Sequence, residues 1–207
     1  MAYIGMRTPK FWPISTPRVD GQAITYGTAV TIGPAVSAQV NFDTADNPDY
    51  GDDVIIDNDK GINGYNITLE TNDISAEARA KVLGWKAIYN SATPPVLQYY
   101  EANGGEVPEI GLAFIRVKMF QGVRKFETFF FHALQFSNTQ ENASTKQKQI
   151  TWNHPQMSGT GIGVYNDDSG DVKFFDWMEF DEDDFDDAVT WIYARFGTTP
   201  PSSGTGT

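Results

Sequence analysis

The sequence contains no cysteine. This absence excludes disulfide bonds, thiolate metal sites and a cysteine nucleophile. It also lacks any run of about 18 apolar residues, so no membrane span is expected. The first residues, Met1 to Phe11, contain Arg7 and Lys10 but no apolar stretch after them, which argues against a signal peptide. We therefore expect a soluble chain that is made and used without secretion.

Histidine is scarce, and recognisable catalytic motifs are missing. The two histidines are His132, which lies among phenylalanines, and His154, which precedes a proline. A packed strand residue is the favoured interpretation of His132. The sequence has no G-x-S-x-G, H-E-x-x-H, phosphate-loop or dinucleotide motif. We expect no enzyme activity and no cofactor, and a hydrolase that uses acidic residues is disfavoured because no partnered base accompanies them.

Basic residues are few compared with acidic ones. The formal net charge is −12, and the window from Asp167 to Asp187 holds eleven acids and one base. This balance argues against a protein that binds nucleic acid by neutralising phosphates. The window predicts a solvated acidic face or, as a sharper alternative, a surface that meets a basic partner or repels DNA. The candidate acidic surface consists of Asp181, Glu182, Asp183, Asp184, Asp186 and Asp187.

The 207 residues, 40% of them hydrophobic and 14% aromatic, are enough for one globular domain with its own core. We divide the chain into an N-terminal arm (1–34), a β-rich body (35–165), an acidic C-terminal segment (166–197) and a disordered tail (198–207). Prolines and glycines predict that the arm is irregular with at most short strands. Residues 36–42 favour a strand, and the aspartate-rich residues 43–60 have the composition of a loop.

Apolar residues alternate in Gly61 to Thr71, which predicts a half-buried strand with Tyr65, Ile67 and Leu69 inside. A helix over about 75–90 follows, with Ser75 as its N-cap. Its apolar stripe contains Ala78, Val82, Trp85 and Tyr89.

After the helix, the pattern is that of β-structure. Strands are predicted at 96–100, 110–120, 123–136 and 148–154, with a tight turn at Gln121-Gly122 between the two longest. The second half of 123–136 is apolar on both faces, with Phe130, Leu134 and Phe136 on one and Phe129, Phe131 and Ala133 on the other. A second sheet, the helix or another subunit must cover such a strand.

Two oxygen-rich stretches are candidates for calcium. One contains Asp57, Asp59 and Gly61, and the other runs from Asp167 through Asp168, Ser169 and Gly170 to Asp171. Neither matches a full EF-hand loop. Ordinary turns are the favoured interpretation, because Asp, Asn and Gly tolerate left-handed backbone.

The order of motifs resembles one family. Gly64 to Glu70 (GYNITLE) precedes Asp73 to Lys86 (DISAEARAKVLGWK), and a long hairpin follows over 110–136. A polar bend then leads to a strand that contains Thr145, Lys146, Ile150 and Trp152. Together with the start MAYIGMR, these features are similar to the major tail tube proteins of long non-contractile-tailed bacteriophages over residues 1–160. The acidic segment departs from the family's pattern.

The resemblance implies a mainly β fold with one flanking α-helix, a β-sandwich or half-open β-barrel. It also implies homo-hexameric rings that stack into a tube, a structural part of the virion tail assembled in the host cytoplasm. Its expected partners are the tape-measure protein and tail terminator or baseplate proteins, while DNA passes without specific binding. Candidate subunit-interface residues are Arg116, Lys118, Phe129, Phe131, Asp52 and Asp53.

A β-sandwich binding module for carbohydrate or protein is the alternative. Its candidate contacts are Trp85, Trp152, Trp177, Tyr99 and Tyr100. Aromatic residues are also common in cores and interfaces, which makes this hypothesis the weaker one.

Overall fold

A computed structural model describes residues 2–16, 24–51, 54–102, 106–137, 154–165 and 172–200 of the chain. The fold is mainly β, with antiparallel sheets, as the sequence predicts. The described residues form two helices, whereas the resemblance implied one. The strands are β1 (Ala2–Pro13), β2 (Val30–Thr31), β3 (Ala35–Gly51), β4 (Val54–Thr71), β5 (Lys86–Tyr89), β6 (Leu97–Glu101), β7 (Ile110–Phe120), β8 (Val123–Ser137), β9 (Gln156–Gly161), β10 (Val164–Tyr165), β11 (Val172–Lys173) and β12 (Phe175–Asp181). The helices are α1 (Ala76–Leu83) and α2 (Phe185–Arg195). Among the described residues, neither helix is long and apolar enough to cross a membrane.

The main sheet has the strand order β2-β1-β7-β8-β9-β4-β3, and β12 joins it on β8. Strand β8 is long enough to pair with two strands along one edge. Its residues 134–137 pair with β9, and its residues 125–131 pair with β12. Two small antiparallel pairs, β5-β6 and β10-β11, stand apart from this sheet.

The β7-β8 hairpin separates two hydrophobic cores, one on each face. The first core contains α1 and the inner face of β4, including Ile67 and Leu69, packed on Leu112 and Phe131. The second core lies between the opposite face of β7-β8 and α2. Its buried members are Trp12, Ala113, Ile115, Val117, Phe126, Phe130, Ala188, Ile192, Tyr193 and Phe196.

These cores show how the doubly apolar strand is covered. Phe131 faces the first core and Phe130 the second, and both rings are buried within this chain. Helix α2, which belongs to the acidic C-terminal segment, covers β8 on the side of the second core. The acidic C-terminal segment is therefore continuous with the body of the fold, and not a separate unit after it.

The split of apolar residues between the faces of β8 differs from the predicted alternation. The pairing with β7 shifts between Leu112-Phe131 and Ile110-Leu134, so β8 accommodates one extra residue there. This bulge turns Leu134 and Phe136 to the same core as Phe131. Strict alternation placed them with Phe130, and that assignment is wrong.

The first part of the N-terminal arm, Ala2–Pro13, forms the long strand β1, although its prolines predicted an irregular segment. Strand β1 lies between β2 and β7 in the main sheet. Its pairing with β7 is interrupted between Arg7 and Lys10, which is where Pro9 lies, and Pro13 is its last residue. Proline fits these positions because it cannot donate a ladder hydrogen bond.

Residues 43–60 do not form the predicted loop. Strands β3 and β4 pair outward as far as Gly51 and Val54. The same ladder contains the inner pairs Val40-Ile67 and Phe42-Tyr65. It continues into residues of low strand propensity, with register shifts between Asp43 and Thr44 and between Asp49 and Tyr50. The turn interpretation of Asp57 to Gly61 fails for the same reason.

The helix is shorter than the predicted 75–90. Ser75 is the N-cap as expected, and its hydroxyl accepts a hydrogen bond from the Ala78 N–H at 3.1 Å. Gly84 ends the helix in the left-handed region, with φ of 71°. Lys86–Tyr89 then forms β5. Trp85 still packs against the first core, whereas Tyr89 is exposed.

Several predicted β elements are confirmed. Strand β7 has the predicted bounds, and Gln121 and Gly122 form the turn before β8 with φ of 49° and 84°. Two positive φ values are typical of the type I′ turn that suits a two-residue hairpin. Residues 148–153 of a predicted strand lie outside the described residues.

Candidate functional site

The outer part of the β3-β4 hairpin is a two-stranded ribbon, which we call the long ribbon (residues 43–51 and 54–64). Only residues 65–70 of β4 pair with β9, so within the described residues the long ribbon's strands pair only with each other. At a rise of 3.3 Å per residue, it is roughly 30 Å long. Such a ribbon is marginally stable alone in water, and no other described strand forms hydrogen-bonded pairs with the edges of this one.

A second ribbon, the short ribbon (β5 and β6), exposes apolar side chains. Tyr89 is 58% exposed, Tyr99 56% and Leu97 40%. The pairs Tyr89-Leu97 and Ile88-Tyr99 place the two tyrosines on opposite faces. At the ribbon's tip, the Asn90 side chain accepts hydrogen bonds from the backbone of Ala92 and Val96. The ribbon thus presents an ordered apolar surface on both faces.

Four of the six predicted interface residues lie in the described part of the chain. Phe131 is completely buried in the chain's own core, and Lys118 is 6% exposed. Arg116 and Phe129 are half-buried, and the Arg116 guanidinium lies 4.8 Å from the centre of the Phe129 ring. Asp52 and Asp53 lie outside the described residues. The structure thus brings Arg116, Lys118 and Phe129 onto one face of β7-β8.

On that face, beyond the aromatic layer, there is a charged cluster of six residues on β7, β8 and β12. Its members are Arg116, Lys118, Lys125, Glu127, Glu179 and Asp181. Glu127, only 4% exposed, accepts from Arg116 at 2.6 Å and from Lys118 at 2.7 Å. Lys118 also donates to Glu179, and Lys125 donates to Glu179 at 2.8 Å.

The charged cluster perturbs its own ionisation. Hydrogen bonds from Lys118 and Lys125 lower the pKa of the Glu179 carboxyl. Hydrogen bonds to Glu127 and Glu179 raise the pKa of the Lys118 ammonium. These hydrogen bonds therefore stabilise the charged forms of Glu179 and Lys118.

The acidic surface lies at the junction of β12 and α2. All six of its residues are exposed. Asp186 and Asp187 lie in the first turn of α2, where carboxylates complement the helix dipole. Asp181 and Glu182 approach Lys125 at 3.3 Å and Arg124 at 3.8 Å. Part of this acidity therefore serves the fold itself.

His132 lies on β8 and faces Asp176 of β12. Its Nε2 atom is 3.6 Å from the Asp176 carboxylate, which is also 3.4 Å from Arg195 of α2. The Phe130 ring meets the imidazole edge to face at 4.5 Å. The nearby His132 side chain is the main cause that lowers the pKa of Asp176. This is the packed histidine that the sequence favours.

The aromatic residues of the carbohydrate alternative lie on different elements. Trp85 packs against the first core, Tyr99 and Tyr100 lie on β6, and Trp177 lies on β12, 49% exposed. Trp152 is outside the described residues.

Among the described side chains, no three His, Cys, Asp or Glu are grouped to hold a metal ion. The side chains of Asp57 and Asp59, and all of residues 167–171, lie outside that set, so both calcium candidates stay predictions.

Two features escaped sequence reasoning. The sequence patterns did not indicate Glu127 or Glu179 as members of a charged cluster. For Glu127 a signal was available, because a lone acid in an apolar strand next to several bases indicates a partnered charge. The short ribbon was hidden by the helical spacing of Trp85 and Tyr89. Gly84 was the available signal, since glycine commonly ends helices.

No family model matches the chain, and a search of curated proteins finds no match either.

Proposed function

We propose that this chain is a structural protein that assembles with copies of itself into stacked rings, as the tail tube of a long-tailed bacteriophage. The observation that carries the proposal is the pair of ribbons. Within the described residues, no other strand pairs the edges of the long ribbon, and the short ribbon exposes apolar side chains. A neighbouring copy would supply the missing packing and hydrogen bonds.

The resemblance of the sequence to major tail tube proteins adds to this argument. The strand 64–70, the N-capped helix and the hairpin 110–136 follow one another in the order that is typical of this family. In the proposed assembly, six copies form a ring, and rings stack into a conduit around the tape-measure protein and later the DNA. Terminator and baseplate proteins would close its ends. The role needs no catalysis.

Electron microscopy of the purified full chain at high concentration tests the proposal. We expect rings with sixfold symmetry or tubes built from them. Compact monomers alone, even when nucleating tail parts are added, would contradict it.

A shortened long ribbon sharpens this test. Replacing residues 45–61 by Asn-Gly joins Thr44 to its neighbour Ile62 and leaves the pairs nearer the core in place. We expect this variant to fold but to form no rings or tubes. A matched control replaces Gln121-Gly122 by Asn-Gly, which changes another hairpin turn without shortening it. Equal assembly by both variants would show that the long ribbon is not a subunit contact.

A further inference from the structure

The acidic C-terminal segment is seated on basic side chains of the sheet. We call residues 175–195, β12 and α2 together, the C-terminal strap. Five basic residues on β1, β7 and β8 contact it: Arg7, Lys10, Lys118, Arg124 and Lys125. Lys118, Arg124 and Lys125 meet three strap carboxylates, Glu179, Asp181 and Glu182, which is electrostatic complementarity within one chain, whereas Arg7 and Lys10 meet its aromatic side chains.

The strap contacts basic side chains on both faces of the sheet. On the face of the charged cluster, Lys118 and Lys125 bind Glu179. On the opposite face, Lys10 donates to the Tyr193 hydroxyl at 2.6 Å, and Arg7 lies 5.6 Å from the centre of the Phe185 ring. The strap thus wraps around the edge of β8, with β12 at the edge and α2 on the far face.

One of these contacts is buried. The Lys118 side chain is 8% exposed, so its ammonium depends on protein partners in place of water. It has two carboxylates, and one of them, Glu127, is shared with Arg116. When the charge of Glu179 is lost, Lys118 keeps only the shared partner. This loss penalises the seated strap and not the rest of the sheet.

We propose that the C-terminal strap is an acid-sensitive clasp, held on β8 at neutral pH by its carboxylates and released from the sheet before the rest of the fold opens. Release frees the edge of β8 from Lys125 to Phe131 and uncovers the second core. The clasp operates in the single chain and does not depend on assembly.

The direction of the pH dependence follows from the charged groups around Glu179 and Asp176. Lys118 and Arg116 face the charged cluster from β7, Lys125 and Glu127 from β8, and Asp181 from β12 itself. Because the pKa of Glu179 is lowered on folding, its carboxylate contributes fully to the stability of the seated strap above the ordinary carboxyl pKa of about 4.3. The contribution is lost as the pH falls through the lowered value.

A second group of charges surrounds Asp176. His132 faces Asp176 from β8, Arg195 faces it from α2, and Lys173 adds positive charge from β11. These contacts are lost only when Asp176 itself takes up a proton, which its lowered pKa delays.

Hydrogen exchange of the full chain, read by mass spectrometry and corrected for intrinsic rates, tests the proposal. Between neutral pH and about pH 3, below the ordinary carboxyl pKa, we expect protection of β12 and α2 to fall at least roughly tenfold more than that of the β4-β9 pair. At neutral pH, Glu179→Gln should reproduce this selective loss.

A matched control removes an exposed carboxylate elsewhere. Glu77→Gln deletes the i,i+4 pair between exposed side chains of Glu77 and Lys81 on α1. We expect it to leave protection of the strap unchanged. If strap and β4-β9 lose protection together in acid, or if Glu179→Gln behaves like Glu77→Gln, the clasp is refuted.

Discussion

At the scale of single residues, backbone positions without a side chain decide where large rings can lie. In β9, Gly161 pairs with Tyr65, and a Cβ atom built there would overlap the Tyr65 ring. The Tyr65 hydroxyl donates to the Ala133 carbonyl at 3.0 Å, which orients the ring across the strand. Glycine is required here for close approach and not for its backbone freedom.

We therefore predict that Gly161→Ala lowers the free energy of unfolding by about 1–3 kcal/mol, because the Tyr65 ring must move from its packed position. Urea denaturation measures the change. Gly61→Ala on β4 is the control, since a Cβ there meets nothing within 4 Å. An equal effect of the two substitutions would contradict the packing argument.

At the scale of elements, local signals set where α1 begins and ends. The Ser75 hydroxyl satisfies the Ala78 N–H, and Glu77 in the first turn suits the helix dipole. The Gly84 N–H is bonded to the Ala80 carbonyl at the other end. The helix is short, so each cap matters more than it would in a long helix.

Removing the N-cap should cost stability without changing the fold. We predict that Ser75→Ala lowers the free energy of unfolding by about 1 kcal/mol, because one helical N–H loses its partner. Ser75→Asp keeps an accepting oxygen and should retain most of the stability. Thermal and urea unfolding compare the variants, and a loss as large for Ser75→Asp as for Ser75→Ala would rule out the capping role.

At the scale of the whole molecule, one sheet carries two cores, and two ribbons lie outside both. The hairpin β7-β8 is buried on both faces by the chain itself. The exposed apolar side chains of the short ribbon are therefore the better candidates for subunit contact. Exposed apolar surface that an ordered element presents is typical of interaction sites.

We predict that Leu97→Asp leaves the free energy of unfolding within about 0.5 kcal/mol of the natural chain, because the side chain is exposed, yet reduces self-assembly. Sedimentation velocity and electron microscopy measure assembly, and urea denaturation measures stability. Val123→Asp, at an exposed aliphatic position in the β7-β8 turn region, is the matched control. If both substitutions impair assembly equally, the effect is one of charge alone.

Periodicity predicted the strands that contact the core. The alternation of Tyr65, Ile67 and Leu69 indicated the buried face of β4, and Gln121-Gly122 indicated the β7-β8 turn. The candidate site was less accessible to sequence reasoning. Lys118 and Phe131 are predicted interface residues, but burial depends on what covers a strand. Here β4 and α1 cover Phe131, and Lys118 is bound by Glu179 of β12, 61 residues further along the chain.

The amino-acid sequence by itself determined the mainly β class, the β7-β8 hairpin and the start of α1, because local spacing and caps carry these signals. Only the tertiary structure decided that the proline-containing N-terminus is a strand inside the sheet, and that the aspartates of 43–60 extend a hairpin. It also decided where the acidic tract lies: its residues Glu179, Asp181 and Glu182 face bases of β7 and β8. The physical reason is that pairing and charge complementarity join residues far apart in sequence, and no local pattern records such partners.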